Sequence, residues 1–160
     1  MNITFGKNTI IEDSVVLGEN VTIGHNVIIY AGSVIGHNVV IQDNAVIGKQ
    51  PVKAKHSALK EVKKNPPVVI GDGCTIGTSA IIYAGAVLEN EVFVADLATV
   101  RERVTVGEGT IVGRGVAIEN DCSIGRKCKL ETNCYITAYS NLGDHVFVAP
   151  GVVTSNDNYM

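Results

Sequence analysis

Large apolar residues recur every six positions along most of the chain. They head 22 hexads, which run from Phe5 to Ile47 and again from Ile70 to Val148. The fifth residue of a hexad is mostly small (Val, Ala, Ser, Thr or Cys), and the fourth is often Asn, Gly or Asp. Because those three residue types tolerate a left-handed backbone, the fourth position predicts a turn. A period of six does not fit an amphipathic helix, whose apolar residues recur every 3.6 positions.

The hexads predict an all-β fold, a triangular β-solenoid formed by one domain over residues 1–160. Each hexad supplies a short strand and a turn, and three hexads close one coil. Successive coils are expected to stack at about 4.8 Å, the spacing of hydrogen-bonded strands. The apolar heads fill the interior, with the small fifth residues beside them. Such a narrow core suits a chain without Trp and with only 5% aromatic residues.

One long loop is predicted to interrupt the solenoid at residues 53–69, with the sequence KAKHSALKEVKKNPPVV. Six of the 13 basic residues lie between Lys49 and Lys64. The stretch SALKEVKK allows one or two helical turns, which Pro66 and Pro67 would end. Loops on a rigid scaffold often carry function, so Lys60, Lys63 and Lys64 are candidates for binding phosphate groups. The alternative is a solvated loop whose lysines maintain solubility.

Residues three hexads apart are expected to stack on one edge of the solenoid. One such edge carries residues 101–103 (Arg-Glu-Arg), 119–121 (Glu-Asn-Asp), 137–139 (Thr-Ala-Tyr) and 155–157 (Ser-Asn-Asp). Ion pairs between turns, such as Arg103 with Asp121, explain the lower part of this polar edge. They do not explain Thr154, which stands where the period requires an aliphatic residue. We therefore interpret the break at Thr154 as a sign of function.

The four cysteines, at positions 74, 122, 128 and 134, all occupy the fifth position of a hexad. A free Cys packs there as a small hydrophobic residue, which disfavours disulfides and zinc sites. His25 and His37 are two hexads apart and point from different edges, so no metal site is expected. The net charge of −3 gives no indication of a nucleic-acid partner. With no signal-peptide pattern and no apolar run long enough for a membrane, a cytoplasmic protein is expected.

The hexads IGHNVI, IGDGCT and VGEGTI resemble those of the hexapeptide-repeat acyltransferases. That resemblance covers nearly the whole chain and implies a left-handed parallel β-helix. The segments CKLETN and GDHVFVAPGVVTSNDNYM look more specifically like sugar-nucleotide N-acyltransferases. These enzymes are homotrimers that transfer an acyl group from acyl-CoA, here most simply acetyl-CoA, to the amine of a nucleotide-linked sugar.

The resemblance also implies site residues. It makes Glu131, Asn133, Asn156 and Asp157 candidates, with Asn156 and Asp157 in a substrate loop beside Glu131. Asn at position 133 is equally the ordinary turn residue of this chain.

The segment IENDCSIG looks like the one that carries a catalytic His in related acyltransferases, but Asn120 replaces that His. Asn cannot act as a base, which leaves Glu131 and His145 as candidate catalytic residues. Asn120 and Tyr139 join the predicted substrate-binding residues because they lie on the polar edge.

The resembling enzymes continue with further coils and a cap, so the C-terminal coils are expected to be missing here. The alternatives to an N-acyltransferase are a non-catalytic solenoid scaffold and an O-acyltransferase of the same superfamily.

Overall fold

The computed structural model describes residues 2–58 and 61–156, and all regular structure in them is β-strand. Almost every strand is two residues long and ends on a hexad head, as the period predicts. The strands, in chain order, are β1 (Thr4–Phe5), β2 (Ile10–Ile11), β3 (Val16–Leu17), β4 (Thr22–Ile23), β5 (Ile28–Ile29), β6 (Val34–Ile35), β7 (Val40–Ile41), β8 (Val46–Lys49), β9 (Val69–Ile70), β10 (Thr75–Ile76), β11 (Ile81–Tyr83), β12 (Val87–Leu88), β13 (Phe93–Val94), β14 (Thr99–Val100), β15 (Thr105–Val106), β16 (Ile111–Val112), β17 (Ala117–Ile118), β18 (Ser123–Ile124), β19 (Lys129–Leu130), β20 (Tyr135–Ile136), β21 (Asn141–Leu142) and β22 (Phe147–Val148).

Three parallel sheets form the faces of the solenoid. Sheet A has the order β1-β4-β7-β10-β13-β16-β19-β22, sheet B the order β2-β5-β8-β11-β14-β17-β20, and sheet C the order β3-β6-β9-β12-β15-β18-β21. Every third strand is therefore a neighbour, as when Val87 pairs with Thr105 and Leu88 with Val106. This arrangement is the left-handed parallel β-helix, which confirms the predicted fold class. In the described part of the chain, no helix could cross a membrane.

The core consists of the hexad heads and the fifth residues. Leu88 is 1% exposed, whereas Val87 beside it on the outer face is 36% exposed. The prediction that every head is buried is wrong at the first coil, where Phe5 is 50% exposed. Phe5 has a strand neighbour on one side only, because β1 is the edge of sheet A. A core position in this fold needs a coil on both sides.

The turns between faces use a left-handed residue at the fourth hexad position. Residues as different as Leu97 (φ 62°), Tyr139 (φ 63°) and Gly73 (φ 69°) adopt it. This conformation is therefore a property of the coil and marks no single turn as special. We name the turns by the sheets they join: A–B, B–C and C–A corners.

The insertion leaves the solenoid at a B–C corner, between β8 and β9. Val68 is fully buried and Val69 begins β9, so both belong to the coil. The predicted bounds of 53–69 are wrong by these two residues, because their apolar side chains complete a hexad. Residues 51–58 and 61–68 contain no helix. Reciprocal bonds close the base of the loop: Gln50 Nε2 donates to Asn65 O (2.8 Å), and Asn65 N donates to Gln50 Oε1 (3.0 Å).

The four cysteines are unpaired and buried at their packing positions. Burial raises the pKa of the Cys74 thiol to about 11, and it also raises the pKa values of Cys122 and Cys134. Since the thiolate is the reactive form, these thiols should be nearly inert in the folded protein.

We expect almost no reaction of the native protein with Ellman's reagent at pH 8 over minutes. All four thiols should react at once in guanidinium chloride. Rapid modification of more than one thiol without unfolding would contradict the packing role.

Candidate active site

The insertion and the B–C corners enclose a groove of ≈ 660 Å³. Residues 61–66 of the insertion form one wall. The floor and the far side come from six residues on three successive turns, namely Arg101, Glu102, Arg103, Asn120, Ala138 and Tyr139. The polar edge that the sequence predicts is thus one side of this groove. We call it the corner groove.

Arg103 links the floor to the insertion. Its guanidinium binds both carboxylate oxygens of Asp121 (2.6 and 2.8 Å) and donates to Asn65 Oδ1 (2.7 Å). Asn120 Nδ2 donates to Asp121 Oδ2 (2.6 Å). The hydrogen bond from Arg103, with a smaller one from Asn120, lowers the pKa of Asp121. The hydrogen bond with Asp121 in turn raises the pKa of Arg103. This network holds the insertion wall at a fixed distance from the floor.

Asp121 should contribute stability that depends on pH. Because its folded pKa lies below 3.8, the contribution is present above pH 4 and is lost as the pH falls through the folded value. Asp121→Asn should therefore lower stability at pH 7 and flatten its decline between about pH 5 and pH 3. Chemical denaturation at a series of pH values measures this, with the exposed Asp13→Asn as control. An equally steep decline in both variants would contradict the assignment.

Arg101 and Glu102 form the deepest part of the groove. Glu102 is 6% exposed, and its two carboxylate oxygens bind Arg101 at 2.9 and 3.3 Å. Arg101 also faces Glu119 at 3.5 Å and lies 4.7 Å from the centre of the Tyr83 ring. Burial alone would lower the pKa of Arg101, but Glu102 outweighs it and the pKa is raised. Arg101 is thus a fixed cation shared by two carboxylates.

Several predicted site residues lie at the corner groove. Lys63 and Lys64 line the insertion wall, and Asn120 and Tyr139 line the opposite side, where Tyr139 is 68% exposed. Asn156 is at the same corner one coil further on, where its Nδ2 donates to Ala138 O (2.8 Å). Lys60 and Asp157 fall outside the described residues.

The remaining predicted residues lie on other corners. Glu131 and Asn133 follow β19 at an A–B corner, and His145 follows β21 at a C–A corner. Asn133 (φ 58°) and His145 (φ 58°) are the left-handed residues of their turns. The expectation that Glu131 lies beside Asn156 is wrong, because β20 separates the A–B corner from the B–C corner. Within one chain, neither candidate base reaches the corner groove.

Thr154 has a structural role, although the break in the six-residue period at this position was interpreted as a sign of function. Its hydroxyl accepts from Thr137 N (2.8 Å) and donates to Tyr135 O (3.1 Å), and its own N–H donates to Tyr135 O (3.0 Å). These bonds satisfy backbone groups of β20 and the turn after it. A hydroxyl therefore replaces the aliphatic residue to make hydrogen bonds, and the break in period needs no functional cause.

Sequence reasoning missed two residues of the groove. Asn65 is 5% exposed, and nothing in the insertion distinguishes it from a solvated Asn. The sequence showed Glu102 only as one of several charged residues on the polar edge. Residues 102 and 120 are three hexads apart, and this spacing was a signal that both face one site.

The fold and its repeats define a class: parallel β-helices built from hexapeptides. Residues 2–37 and 14–49 match the family described as "Bacterial transferase hexapeptide (six repeats)", and residues 67–95 and 100–138 match "Hexapeptide repeat of succinyl-transferase". The chain belongs to this hexapeptide-repeat superfamily. No curated protein matches it significantly.

Many solved structures share the fold. LpxA, a UDP-N-acetylglucosamine acyltransferase from Bacteroides fragilis, superposes with a TM-score of 0.63 at 20% identity, covering 96% of this chain and 65% of that one. A product of Bacillus cereus described as a putative acetyltransferase gives 0.56 at 15% identity, covering 91% and 76%.

A mutant perosamine N-acetyltransferase from Caulobacter crescentus, in complex with CoA and GDP-perosamine, gives 0.52 at 21% identity, covering 88% and 49%. The chain thus spans less than two thirds of LpxA and about half of the perosamine enzyme.

Proposed function

We propose that the protein is an acyl-CoA-dependent N-acyltransferase that binds a nucleotide-linked amino sugar in the corner groove. The observation that carries this proposal is the groove itself, whose lining has four basic side chains against two acidic ones. This excess of positive charge suits the diphosphate of a nucleotide-linked sugar. Support also comes from the superfamily and from the named substrates of two similar structures.

The groove offers a distinct contact for each part of such a ligand. Lys63 and Lys64 have no ion-pair partner among the described residues, so both are available to the diphosphate. The exposed ring of Tyr139 provides a surface for stacking. The side-chain NH2 of Asn120 donates to Asp121, and that of Asn156 donates to Ala138 O. The side-chain carbonyl oxygens of both residues can therefore accept hydrogen bonds from sugar hydroxyls.

The chemistry requires the neutral amine to attack the thioester carbonyl of acyl-CoA, most simply acetyl-CoA. The C–N bond forms as the C–S bond breaks, and the amine proton neutralises the departing thiolate. The protein contributes by holding the two reactants together and by excluding unproductive orientations.

A homotrimer completes this proposal. Because Glu131 and His145 lie on other corners, either one can act as a base at the corner groove only from an adjacent copy. In the same way, Asn133 can contribute only from an adjacent copy. Sedimentation at micromolar concentration should therefore show a trimer, and a monomer under those conditions would remove Glu131 and His145 from the reaction.

The test of function is acyl transfer followed by mass spectrometry. The protein is incubated with acetyl-CoA or succinyl-CoA and with GDP-perosamine or UDP-glucosamine, and N-acylated sugar nucleotide is the expected product. UDP-N-acetylglucosamine, the compound in the name of LpxA, offers hydroxyls but no amine, so its acylation would instead favour the O-acyltransferase alternative. Binding of none of these nucleotides, with no transfer, would favour a solenoid scaffold.

A further inference from the structure

The side chain of Asn65 joins the insertion wall to the floor of the corner groove. Its Oδ1 accepts from Arg103 Nη1 (2.7 Å), and its Nδ2 donates to the main-chain carbonyl of Lys63 (3.4 Å). Arg103 is itself fixed by both carboxylate oxygens of Asp121. A continuous path of polar contacts therefore runs from the floor, through Asn65, to the backbone of Lys63.

The solenoid leaves room for the returning arm of the insertion at two glycines. A Cβ atom on Gly85 would come 3.2 Å from Asn65 Cβ, and one on Gly32 would come 2.8 Å from Pro67 Cγ. Gly85 (φ 81°) and Gly32 (φ 75°) also have a backbone conformation that suits glycine best. Asn65 is only 5% exposed as a result of this close approach. The arm is thus packed on the solenoid at Asn65 and Pro67.

The lysines of the wall are the groove cations whose position matters most for an anionic ligand. The two arginines of the floor each pair with a carboxylate, whereas Lys63 and Lys64 have no ion-pair partner among the described residues. Charge-assisted bonds to phosphate require short distances, so their strength depends on where the wall is held. A wall that is fixed before the ligand arrives also reduces the ordering cost of binding.

We propose that Asn65 and Arg103 are positioning residues, which hold the wall so that Lys63 and Lys64 meet the phosphate groups of the ligand. The inference rests on the proposed function and names the residues that preorganise its phosphate site. Neither residue has to touch the ligand in this role. The affinity that the two lysines provide should therefore depend on the hydrogen bond between Asn65 and Arg103.

Two variants break this link in different ways. Asn65→Ala removes both side-chain contacts, whereas Arg103→Lys keeps the charge of the groove. A single ammonium cannot reproduce the fork geometry with which the guanidinium contacts Asp121 and Asn65 together. Asn90→Ala is the matched control, because Asn90 Oδ1 accepts from Asp72 N (2.9 Å) at a C–A corner. It also removes an Asn hydrogen bond, but outside the groove.

Limited digestion with trypsin measures whether the wall is held, and it needs no ligand. The readout is the rate of cleavage after Lys63 and Lys64 relative to cleavage after Lys55, which is exposed in the same insertion. Loss of the link should raise this ratio about tenfold in Asn65→Ala and in Arg103→Lys, as expected for local opening after the loss of a hydrogen bond. Asn90→Ala should match wild type.

Calorimetry with GDP-perosamine and with UDP-glucosamine measures what the link contributes to binding. For the nucleotide that wild type binds, Asn65→Ala and Arg103→Lys should each weaken binding about tenfold, and the double variant should be no weaker than either. Replacing Lys63 and Lys64 by Ala should then cost far less in either background than it does in wild type. Such non-additivity distinguishes positioning of the lysines from a separate contact with the ligand.

The outcomes separate this inference from the function on which it rests. If wild type binds a nucleotide but the cleavage ratio or the affinity is unchanged in the variants, the inference is overturned and the proposed function stands. The same holds if the lysine replacement costs as much in their background as in wild type, or if Asn90→Ala loses as much affinity. If Asn65→Ala does not fold, Arg103→Lys decides on the same readouts. If wild type binds neither nucleotide, the proposed function fails and the inference with it.

Discussion

Leu88→Asp should severely destabilise the β-helix, whereas Val87→Asp, one residue away, should leave it intact. Leu88 is 1% exposed and points into the core, while Val87 is 36% exposed on the outer face of the same strand. A carboxylate at position 88 would be buried without a partner between Ile70 and Val106 of the neighbouring strands. We expect a loss of more than about 4 kcal/mol, which is a large part of the roughly 5–15 kcal/mol by which a folded protein is stable.

Far-ultraviolet circular dichroism and urea denaturation measure this difference. The Val87→Asp protein should keep the β spectrum and unfold cooperatively near the wild-type midpoint. Similar stability of the two variants would mean that the face assigned to each residue is wrong, and with it the register of β12.

Replacing Lys63 and Lys64 together by Ala should weaken binding of a nucleotide sugar by about ten- to a hundredfold at low salt. Both lysines line the insertion wall, and charge-assisted bonds to phosphate are the strongest contacts that the groove offers. Rising ionic strength should weaken wild-type binding more than that of the variant, because salt screens the interaction over about 10 Å at 0.1 M.

Lys55→Ala with Lys127→Ala is the control for net charge. It removes two positive charges from exposed positions that do not line the groove. Equal effects of the two double variants would mean that binding responds only to the overall charge of the protein. Unchanged affinity in the Lys63 and Lys64 variant would reduce the insertion to a solvated loop.

The fold was accessible from the sequence because one physical requirement repeats in every hexad. A residue such as Leu88 must fill the interior, and the residue before it must tolerate water, so spacing alone assigns both. The requirement for a buried apolar residue is weaker at Phe5, because β1 has a neighbouring strand on one side only. Periodicity reports the average environment of a position, and it is least informative at the edge of a stack.

The location of the corner groove was also partly accessible. Counting in steps of three hexads places Arg103, Asp121 and Tyr139 on one edge, and their observed stacking confirms it. The insertion leaves from that same edge, as its place after β8 requires. The burial of Glu102 was not accessible, because it depends on how the insertion folds back over the edge. That path is fixed by Asn65 and its bonds to Gln50 and Arg103.

Two interpretations differ from what the structure shows, each for a physical reason. Glu131 was grouped with Asn156 by resemblance, although its phase in the hexads already assigns it to a different corner. Thr154 was treated as a functional residue because an apolar period does not anticipate a side chain that bonds to the backbone. The six-residue period shows where the core requires an apolar side chain. It does not show which polar side chains form hydrogen bonds with the backbone at the ends of strands.

The central claim is that the corner groove is where the nucleotide-linked amino sugar binds. A crystal structure of the protein with GDP-perosamine or UDP-glucosamine tests it most directly. The claim predicts the diphosphate against Lys63 and Lys64 and the amino sugar in the same groove. Density for the sugar nucleotide at the corner of Glu131 or of His145, with the corner groove empty, would contradict it.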